Sequence, residues 1–148
     1  MEPGAGGLFE KLDGLSIHDV INRRAVETPD RLFLIDPTTG RSLTYGELKE
    51  AAQAVADRLV CDGARPGDTI AYAMTNGADA VRAILGLMYG GFVATAINLV
   101  AGKQTISYVL EHCRAKFVLC QKHTREQIEE TAVGTPTMDV DETFFHGH

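Results

Sequence analysis

The sequence predicts an α/β fold of three layers, in which a mainly parallel sheet is flanked by helices and preceded by a short N-terminal hairpin. Two observations support this prediction. Apolar residues recur at helical spacing in several segments, and from residue 69 onwards short apolar runs alternate with those segments. Strands separated by helices are typical of a parallel sheet, because parallel neighbours need a crossover connection.

Composition and charge indicate a globular chain. Of the 148 residues, 45% are hydrophobic and 23% are charged, and a chain of this length buries roughly 70% of its unfolded surface. The net charge of −6 argues against a nucleic-acid partner, because phosphate binding requires clustered Lys and Arg. No apolar run approaches the roughly 18 residues of a membrane span. Without a signal-peptide pattern in residues 1–15, which are predicted to be a flexible leader, we expect a cytoplasmic location.

The first helix is predicted to begin at Ser16-Ile17-His18-Asp19, a capping box in which hydroxyl and carboxylate bond the free amides of the first turn. Thr28-Pro29-Asp30 ends this helix. Two short extended segments, residues 32–35 and 42–43, then flank a turn-rich loop, residues 36–41. This pattern predicts a hairpin.

A second capping box, Thr44-Tyr45-Gly46-Glu47, begins the next predicted helix. Gly63 suits the left-handed residue after that helix, and Pro66-Gly67 fits a type II turn leading into a strand at residues 69–74. The residues predicted to face inward on the helix are Leu48, Ala51, Ala52, Val55, Leu59 and Val60.

The remaining elements alternate between helix and strand. A helix follows residues 75–77 and ends at Gly90-Gly91, and the apolar run at residues 92–97 predicts a strand covered on both faces. A further helix precedes a strand at residues 117–120, and Thr124 and Gln127 are expected to cap a last helix ending near residue 132. The predicted buried faces of the first two of these helices are Val81, Ile84, Leu85 and Met88, and Ile106, Val109, Leu110 and Cys113.

The last residues show no period. Residues 133–148 are therefore predicted to be a tail or linker, so that the α/β unit comprises residues 16–132, and the acidic cluster Asp139, Asp141 and Glu142 is expected to be solvated. The three cysteines, Cys61, Cys113 and Cys120, are predicted to be buried reduced thiols, with a metal or catalytic role as the alternative. No spacing of histidines or carboxylates predicts a metal site.

Two loops that follow strands and precede helices are weak candidates for binding a ligand. Open α/β sheets bind ligands beyond the carboxyl ends of their strands, where helix N-termini offer free amides to phosphate. The first candidate is Thr75, Asn76 and Gly77, and the second is residues 98–103. Neither has the glycine spacing of a nucleotide-binding loop. Helix capping by Asn76 and a solvated Lys103 are the alternative interpretations.

The segment Leu43-Thr44-Tyr45-Gly46-Glu47-Leu48 and the later segment at residues 63–71 together resemble the opening motif of the adenylate-forming (AMP-binding) superfamily, of the acyl-CoA synthetase and AMP-dependent ligase type. The resemblance runs from about residue 16 to residue 120. It includes Thr28-Pro29-Asp30, Gly90-Gly91 and the pattern at residues 108–116. At Ala96-Ile97-Asn98-Leu99 the chain keeps the Asn of the Pro-Leu-Asn-Pro segment found in acyl-CoA synthetases and lacks both prolines.

The resemblance implies an N-terminal fragment of an ATP-dependent acyl- or aryl-CoA synthetase. Such enzymes use ATP and Mg²⁺ to convert a carboxylic acid, as in fatty acid metabolism, to an acyl-adenylate, and pass the acyl group to coenzyme A. The Ser/Thr/Gly-rich triphosphate loop and the catalytic Lys of the family do not occur in this sequence. We therefore assign no catalytic residue, expect no cofactor for the fragment alone, and expect it to be inactive by itself.

Two other functions stay open from the residues. The chain could be a standalone α/β interaction or oligomerisation module, or a small nucleotide-binding domain that uses residues 75–77. For the fragment we also expect self-association, because the apolar strand predicted at residues 92–97 would lack part of its cover.

Overall fold

A four-stranded parallel sheet and a separate two-stranded antiparallel hairpin organise the chain, as the sequence predicts. The computed structural model describes residues 14–132 and 134–147; the predicted leader lies largely outside these ranges. The helices are α1 (Ile17–Glu27), α2 (Tyr45–Cys61), α3 (Ala78–Tyr89), α4 (Lys103–Cys113) and α5 (Lys122–Glu129). The strands are β1 (Leu32–Ile35), β2 (Ser42–Thr44), β3 (Thr69–Ala73), β4 (Val93–Ala96), β5 (Phe117–Cys120) and β6 (Thr137–Asp139), followed by a 3-10 helix (Glu142–Phe145).

Local signals locate the first elements correctly. The Ser16 and Thr44 hydroxyls accept the N–H groups of Asp19 and Glu47, and each acidic side chain bonds back to the backbone of the cap, so both predicted capping boxes are confirmed. Gly63 (φ 93°) adopts the positive φ that its predicted left-handed position requires. Since these signals depend on a few neighbouring residues, sequence alone predicts them.

The parallel sheet has the strand order β4-β3-β5-β6 and a core on each face. Ile70 and Leu119 pack in one core with residues of α2 and α3, whereas Ala71 and Val118 pack in the other core with residues of α4 and α5. This alternation along β3 and β5 produces the predicted three layers. A third cluster joins α1 and the hairpin to α2 and α3.

The predicted buried face of α3 is wrong. Val81, Ile84 and Leu85 are only half-buried and Met88 is exposed. The side that is buried instead contains Ala83 and Leu87, which pack in the core with α2, and Gly86, where an added Cβ would lie only 2.6 Å from Val55 Cβ. Because α2 lies so close, only small residues such as Ala83 and Gly86 fit on this side of α3. Val60 on α2, predicted to face inward, is also exposed.

Strand β4 is an edge strand of the described sheet rather than a fully covered one. It pairs with β3 alone, and Val93 has 51% of its surface exposed. The apolar run at residues 92–97 therefore does not indicate cover on both faces in this structure. Phe92 and Ile97, at either end of the strand, are buried in the two cores.

Part of the segment predicted to be a tail belongs to the fold. β6 pairs in parallel with β5, and Phe144 and Phe145 are buried against α2 and β5 residues of one core. The acidic cluster is not merely solvated, since Asp139 pairs with Arg125 and Glu142 pairs with Arg41 and Arg82. Only three residues form β6, too few for a recognisable period.

The prediction that all three cysteines are buried holds for one of them. Cys120 is buried in the sheet, Cys113 is half-buried and Cys61 at the end of α2 is exposed. Burial raises the pKa of the Cys120 thiol to about 11, with a smaller contribution from Asp139. The Cys120 thiol therefore stays protonated at neutral pH and has no nucleophilic character there.

Candidate functional site

The carboxyl ends of β3 and β5 form the place where this sheet would hold a ligand. The chain leaves β3 through α3 to reach β4 on one side, and leaves β5 through α5 to reach β6 on the other side. Two connections that leave neighbouring strands in opposite directions mark the position where open α/β sheets bind ligands, and we call the surface between these two loops the crevice. The predicted candidate residues Thr75, Asn76 and Gly77 lie at this crevice, directly after β3.

Side chains from both loops meet in the crevice. The Thr75 N–H and hydroxyl each donate to Gln121 Oε1 at 2.9 Å, and Thr75 Oγ1 lies 3.4 Å from His123 Nε2. Gln121 and His123 were not among the sequence candidates. A signal existed, because Gln121 follows β5 directly and His123 lies in the first turn of α5, at the same edge of the sheet as Thr75.

Asn76 does not cap α3, so the capping interpretation of this residue is wrong. The N-cap is Gly77, and no side chain bonds to the first turn from that position. Both Thr75 and Asn76 are exposed, and Gly77 is half-buried. The structure therefore brings Thr75 into a hydrogen-bonded cluster and leaves Asn76 at the surface of the loop.

The N-terminus of α3 already faces carboxylates of the chain itself. The Thr38 N–H donates to Asp36 Oδ1 at 2.9 Å, and this bond lowers the pKa of the Asp36 carboxyl. A Cβ built on Gly77 would lie 3.7 Å from Asp36 Oδ2, and Asp79 lies in the first turn of the helix. Negative charge is thus already located where a helix N-terminus would attract phosphate.

The second predicted loop, residues 98–103, is tied to α5. Asn98 Oδ1 accepts the Val100 N–H at 3.1 Å, and Gln127 Nε2 donates to the Leu99 carbonyl at 2.7 Å. Lys103 remains largely exposed and pairs with Glu130. This loop therefore presents Lys103 as one partner of a surface ion pair.

A separate buried cluster surrounds Arg82 of α3. Its Nη2 donates to Asp79 at 2.5 Å and to Glu142 at 2.8 Å, while the guanidinium carbon lies 4.0 Å from the centroid of the Phe145 ring. Burial disfavours the charge on Arg82, but its bonds to Glu142 and Asp79 outweigh this effect and raise its pKa. Arg41 of the hairpin loop also pairs with Asp79 and Glu142. The cluster holds the 3-10 helix to the sheet domain.

Neither a metal centre nor a membrane span is evident within the described ranges. In residues 14–132 and 134–147 no three His, Cys, Asp or Glu side chains group as metal ligands would. No helix in that part of the chain combines the length and apolar composition that a bilayer crossing needs.

The parallel sheet, with a core and helices on each face, defines an open α/β domain. The family model described as "AMP-binding enzyme" matches residues 21–145. The chain belongs to the AMP-binding enzyme family, which confirms the resemblance found in the sequence.

Relatives include both CoA ligases and peptide synthetases. The chain is 29% identical over 119 residues to a sulfoacetate–CoA ligase of Cupriavidus necator, a match that covers 78% of the chain and 23% of that protein. It is 28% identical over 128 residues to a linear gramicidin synthase of Brevibacillus parabrevis, covering 86% of the chain and 2% of that protein. The chain thus spans less than a quarter of the length of these relatives.

Solved structures show the same fold. O-succinylbenzoate coenzyme A synthetase from Bacillus subtilis, in complex with AMP, matches with a TM-score of 0.75 and 28% identity, covering 84% of the chain and 32% of that chain. The nonribosomal peptide synthetase FmoA3, bound to alpha-methyl-L-serine-AMP, matches with a TM-score of 0.81 and 25% identity, covering 93% of the chain and 15% of that chain.

Proposed function

We propose that this chain is the leading α/β segment of an AMP-forming acyl- or aryl-CoA synthetase and supplies scaffold rather than catalytic groups. The observation that carries this proposal is the family match over residues 21–145. A scaffold role is also supported by Asp36 and Asp79, whose negative charges lie at the start of α3, where a phosphate would otherwise bind. In the whole enzyme, ATP and Mg²⁺ would activate a carboxylic acid and coenzyme A would accept the acyl group. A cytoplasmic location fits that supply of substrates.

The relatives named CoA ligase or CoA synthetase favour coenzyme A as the acceptor. A second candidate is the adenylation segment of a peptide synthetase. It is favoured by the gramicidin synthase relative and by the TM-score of 0.81 to a peptide synthetase. In both cases the chemistry is formation of an acyl-adenylate, so the two candidates differ only in acid and acceptor.

A graft into a complete relative tests the scaffold proposal. Residues 21–145 of this chain would replace the matching segment of the Cupriavidus necator sulfoacetate–CoA ligase. We expect the chimera to fold and to keep sulfoacetate-dependent pyrophosphate release. As a matched control, the same chimera with Asn76→Ser and His123→Ala should behave alike, because neither side chain is assigned to catalysis. A folded chimera without activity, next to an active parent, would contradict the proposal.

The isolated chain provides the complementary test. We expect it to release no pyrophosphate from ATP with any acid, because it presents no fixed donors for the developing charge. Binding of ATP or AMP should be weaker than about 1 mM, a free energy of only about 4 kcal/mol. Micromolar binding by titration calorimetry, lost on changing His123 or Gln121, would favour a nucleotide-binding domain instead.

A further inference from the structure

The Asn76-Gly77 pair stands apart from the other asparagines of the chain. It lies between the end of β3 and the start of α3, outside both elements, and Asn76 is exposed. We propose that Asn76 is a site of spontaneous deamidation, which converts this residue to aspartate and isoaspartate and changes the charge at the candidate ligand crevice. The inference goes beyond the proposed scaffold function and does not depend on it.

The reaction is intramolecular. The Gly77 backbone nitrogen, after losing its proton to hydroxide, attacks Asn76 Cγ and forms a new N–C bond. The bond from Cγ to the side-chain nitrogen breaks, and that nitrogen takes a proton from water and leaves as ammonia, which regenerates hydroxide. The resulting five-membered succinimide is opened by one water molecule at either carbonyl. Opening at one carbonyl produces aspartate, and opening at the other produces isoaspartate, with the main chain running through the side-chain carbon. No oxidant or cofactor takes part.

The structure supplies the two conditions that this attack requires. The first is a free nucleophile, because within the described ranges the Gly77 N–H makes no hydrogen bond. The second is freedom to approach: the Asn76 side chain has no hydrogen-bond partner among the described residues, and Gly77 lacks the Cβ that hinders attack at other residue types.

The other asparagines fail these conditions. Asn22 lies inside α1, accepts the Tyr89 hydroxyl at 3.0 Å and precedes Arg23. Asn98 Oδ1 accepts the Val100 N–H, and Leu99 follows it. Both are therefore held by hydrogen bonds and followed by a residue with a side chain.

A second Gly pair provides a further contrast. Asp62-Gly63 follows α2, where Arg58 Nε donates to the Asp62 carboxylate at 2.9 Å and the Gly63 N–H bonds the Val60 carbonyl at 3.0 Å. Aspartate can form the same succinimide, but here both the attacking nitrogen and the acid group are engaged. Of these two pairs, both inside the described ranges, the fold leaves Asn76-Gly77 open and holds Asp62-Gly63 closed.

Either product alters the crevice. A carboxylate at residue 76 would join Asp36 and Asp79 around the start of α3, adding one negative charge to a net charge of −6. Isoaspartate also inserts a methylene group into the main chain next to Thr75. The bonds from Thr75 to Gln121, which join the two loops, would then be strained or lost.

Peptide mapping by mass spectrometry tests the proposal on the full chain. After incubation in mildly alkaline buffer, the tryptic peptide between Arg58 and Arg82, in which Asn76 is the single asparagine, should gain the mass difference between an amide and an acid. We expect conversion at Asn76 at least about tenfold faster than at Asn22 or Asn98, a barrier lower by about 1.4 kcal/mol. The rate should rise with hydroxide concentration, and an isoaspartate-specific methyltransferase should label the product.

Variants separate this chemistry from general instability. Asn76→Gln should abolish the conversion, because ring closure would need a six-membered ring, and Gly77→Ala should slow it. If Gly77→Ala fails to fold, Asn76→Gln still decides. Asn76→Asp already carries the added negative charge, so it should show the acidic shift on ion exchange without any incubation. Equal conversion at the three asparagines, or conversion at Asn76 much slower in the native chain than in urea, would overturn the proposal.

Discussion

At the scale of single residues, Arg82 is the one charged side chain that the described part of the chain buries. Only 5% of it is exposed, and its guanidinium is shared between Asp79, Glu142 and the face of Phe145. A buried cation keeps its charge only where partners compensate for lost water. Removing one partner therefore costs more than the same change at an exposed ion pair.

Glu142→Gln should destabilise the chain at neutral pH by roughly 1–2 kcal/mol, less than for a fully buried pair because Glu142 itself is half exposed. The bond from Arg82 lowers the pKa of Glu142 below its ordinary value of 4.5. Its contribution is therefore fully present above pH 4.5 and is lost as the pH falls through the lower, folded-state pKa.

Urea unfolding of both proteins as a function of pH provides the measurement. The difference between wild type and Glu142→Gln should be largest near neutral pH and shrink below pH 4.5. As a matched control, Glu130→Gln breaks the exposed pair with Lys103 and should change stability by less than about 0.5 kcal/mol. A constant difference across the whole pH range would contradict the assigned role of Glu142.

The Arg82 cluster lay beyond sequence reasoning for a physical reason. Its members come from the hairpin loop, α3 and the 3-10 helix, and a charged residue inside an amphipathic pattern is normally assigned to the solvent face. The capping boxes at Ser16 and Thr44 were predictable, because each depends on residues three positions apart. Asn76 shows the limit of such local signals. Asn is a favourable N-cap residue, yet the N-cap of α3 is Gly77.

At the scale of elements, the contact between α2 and α3 determines which face of α3 is buried. Periodicity identified the helix but assigned the wrong stripe, because large apolar residues also occur on its partly covered side. The decisive residue is Gly86, whose missing side chain lets Val55 approach. Close helix packing of this kind depends on a partner some thirty residues away, which a single-helix pattern does not contain.

Gly86→Ala should therefore destabilise the fold, although alanine favours a helix over glycine by about 1 kcal/mol. The added Cβ would lie 2.6 Å from Val55 Cβ, so α2 and α3 must separate. Overpacking of this kind costs about 1–3 kcal/mol. Thermal unfolding followed by circular dichroism would show a lowered midpoint.

Two further variants make the test specific. Gly147→Ala, at a position with open space and no positive φ, should leave the midpoint nearly unchanged. Val55→Ala should recover part of the loss in the Gly86→Ala background, because it removes the atoms that clash. If Gly86→Ala were stabilising, the contact between the two helices would not be as close as the structure has it.

At the scale of the whole molecule, the two edges of the sheet differ. At one edge β6 pairs with β5, and the buried Phe144 and Phe145 follow β6 in the chain. At the opposite edge, β4 pairs with β3 and has no described strand on its outer side. The family and the parallel sheet were predictable from motifs and alternation, whereas the closing strand was not, since its three residues carry no period.

The open edge of β4 lacks the features that normally prevent strand pairing. The Val93 N–H bonds Asp68 and the Ile97 N–H bonds Tyr72, so by the alternation of a parallel ladder the backbone groups of Ala94 and Ala96 point away from the sheet. Neither Pro nor a charged residue occurs in β4.

We therefore predict that the chain forms dimers through antiparallel pairing of β4 with β4 of a second copy. Burying roughly 400 Å² of apolar surface would contribute about 10 kcal/mol before the entropy of association is deducted. Association costs at least about 4 kcal/mol, so at most about 6 kcal/mol remains, and we expect a dissociation constant of order 40–100 μM. Sedimentation equilibrium should then show a mass above the 16.0 kDa monomer at higher concentrations.

Val93→Lys should restore the monomer, because a charged side chain on an edge strand opposes pairing. Val26→Lys, at an apolar residue of α1 with 79% of its surface exposed, is the matched control and should leave the dimer intact. A monomeric wild type at about one hundred times the expected constant, or equal loss of the dimer in both variants, would contradict pairing through β4.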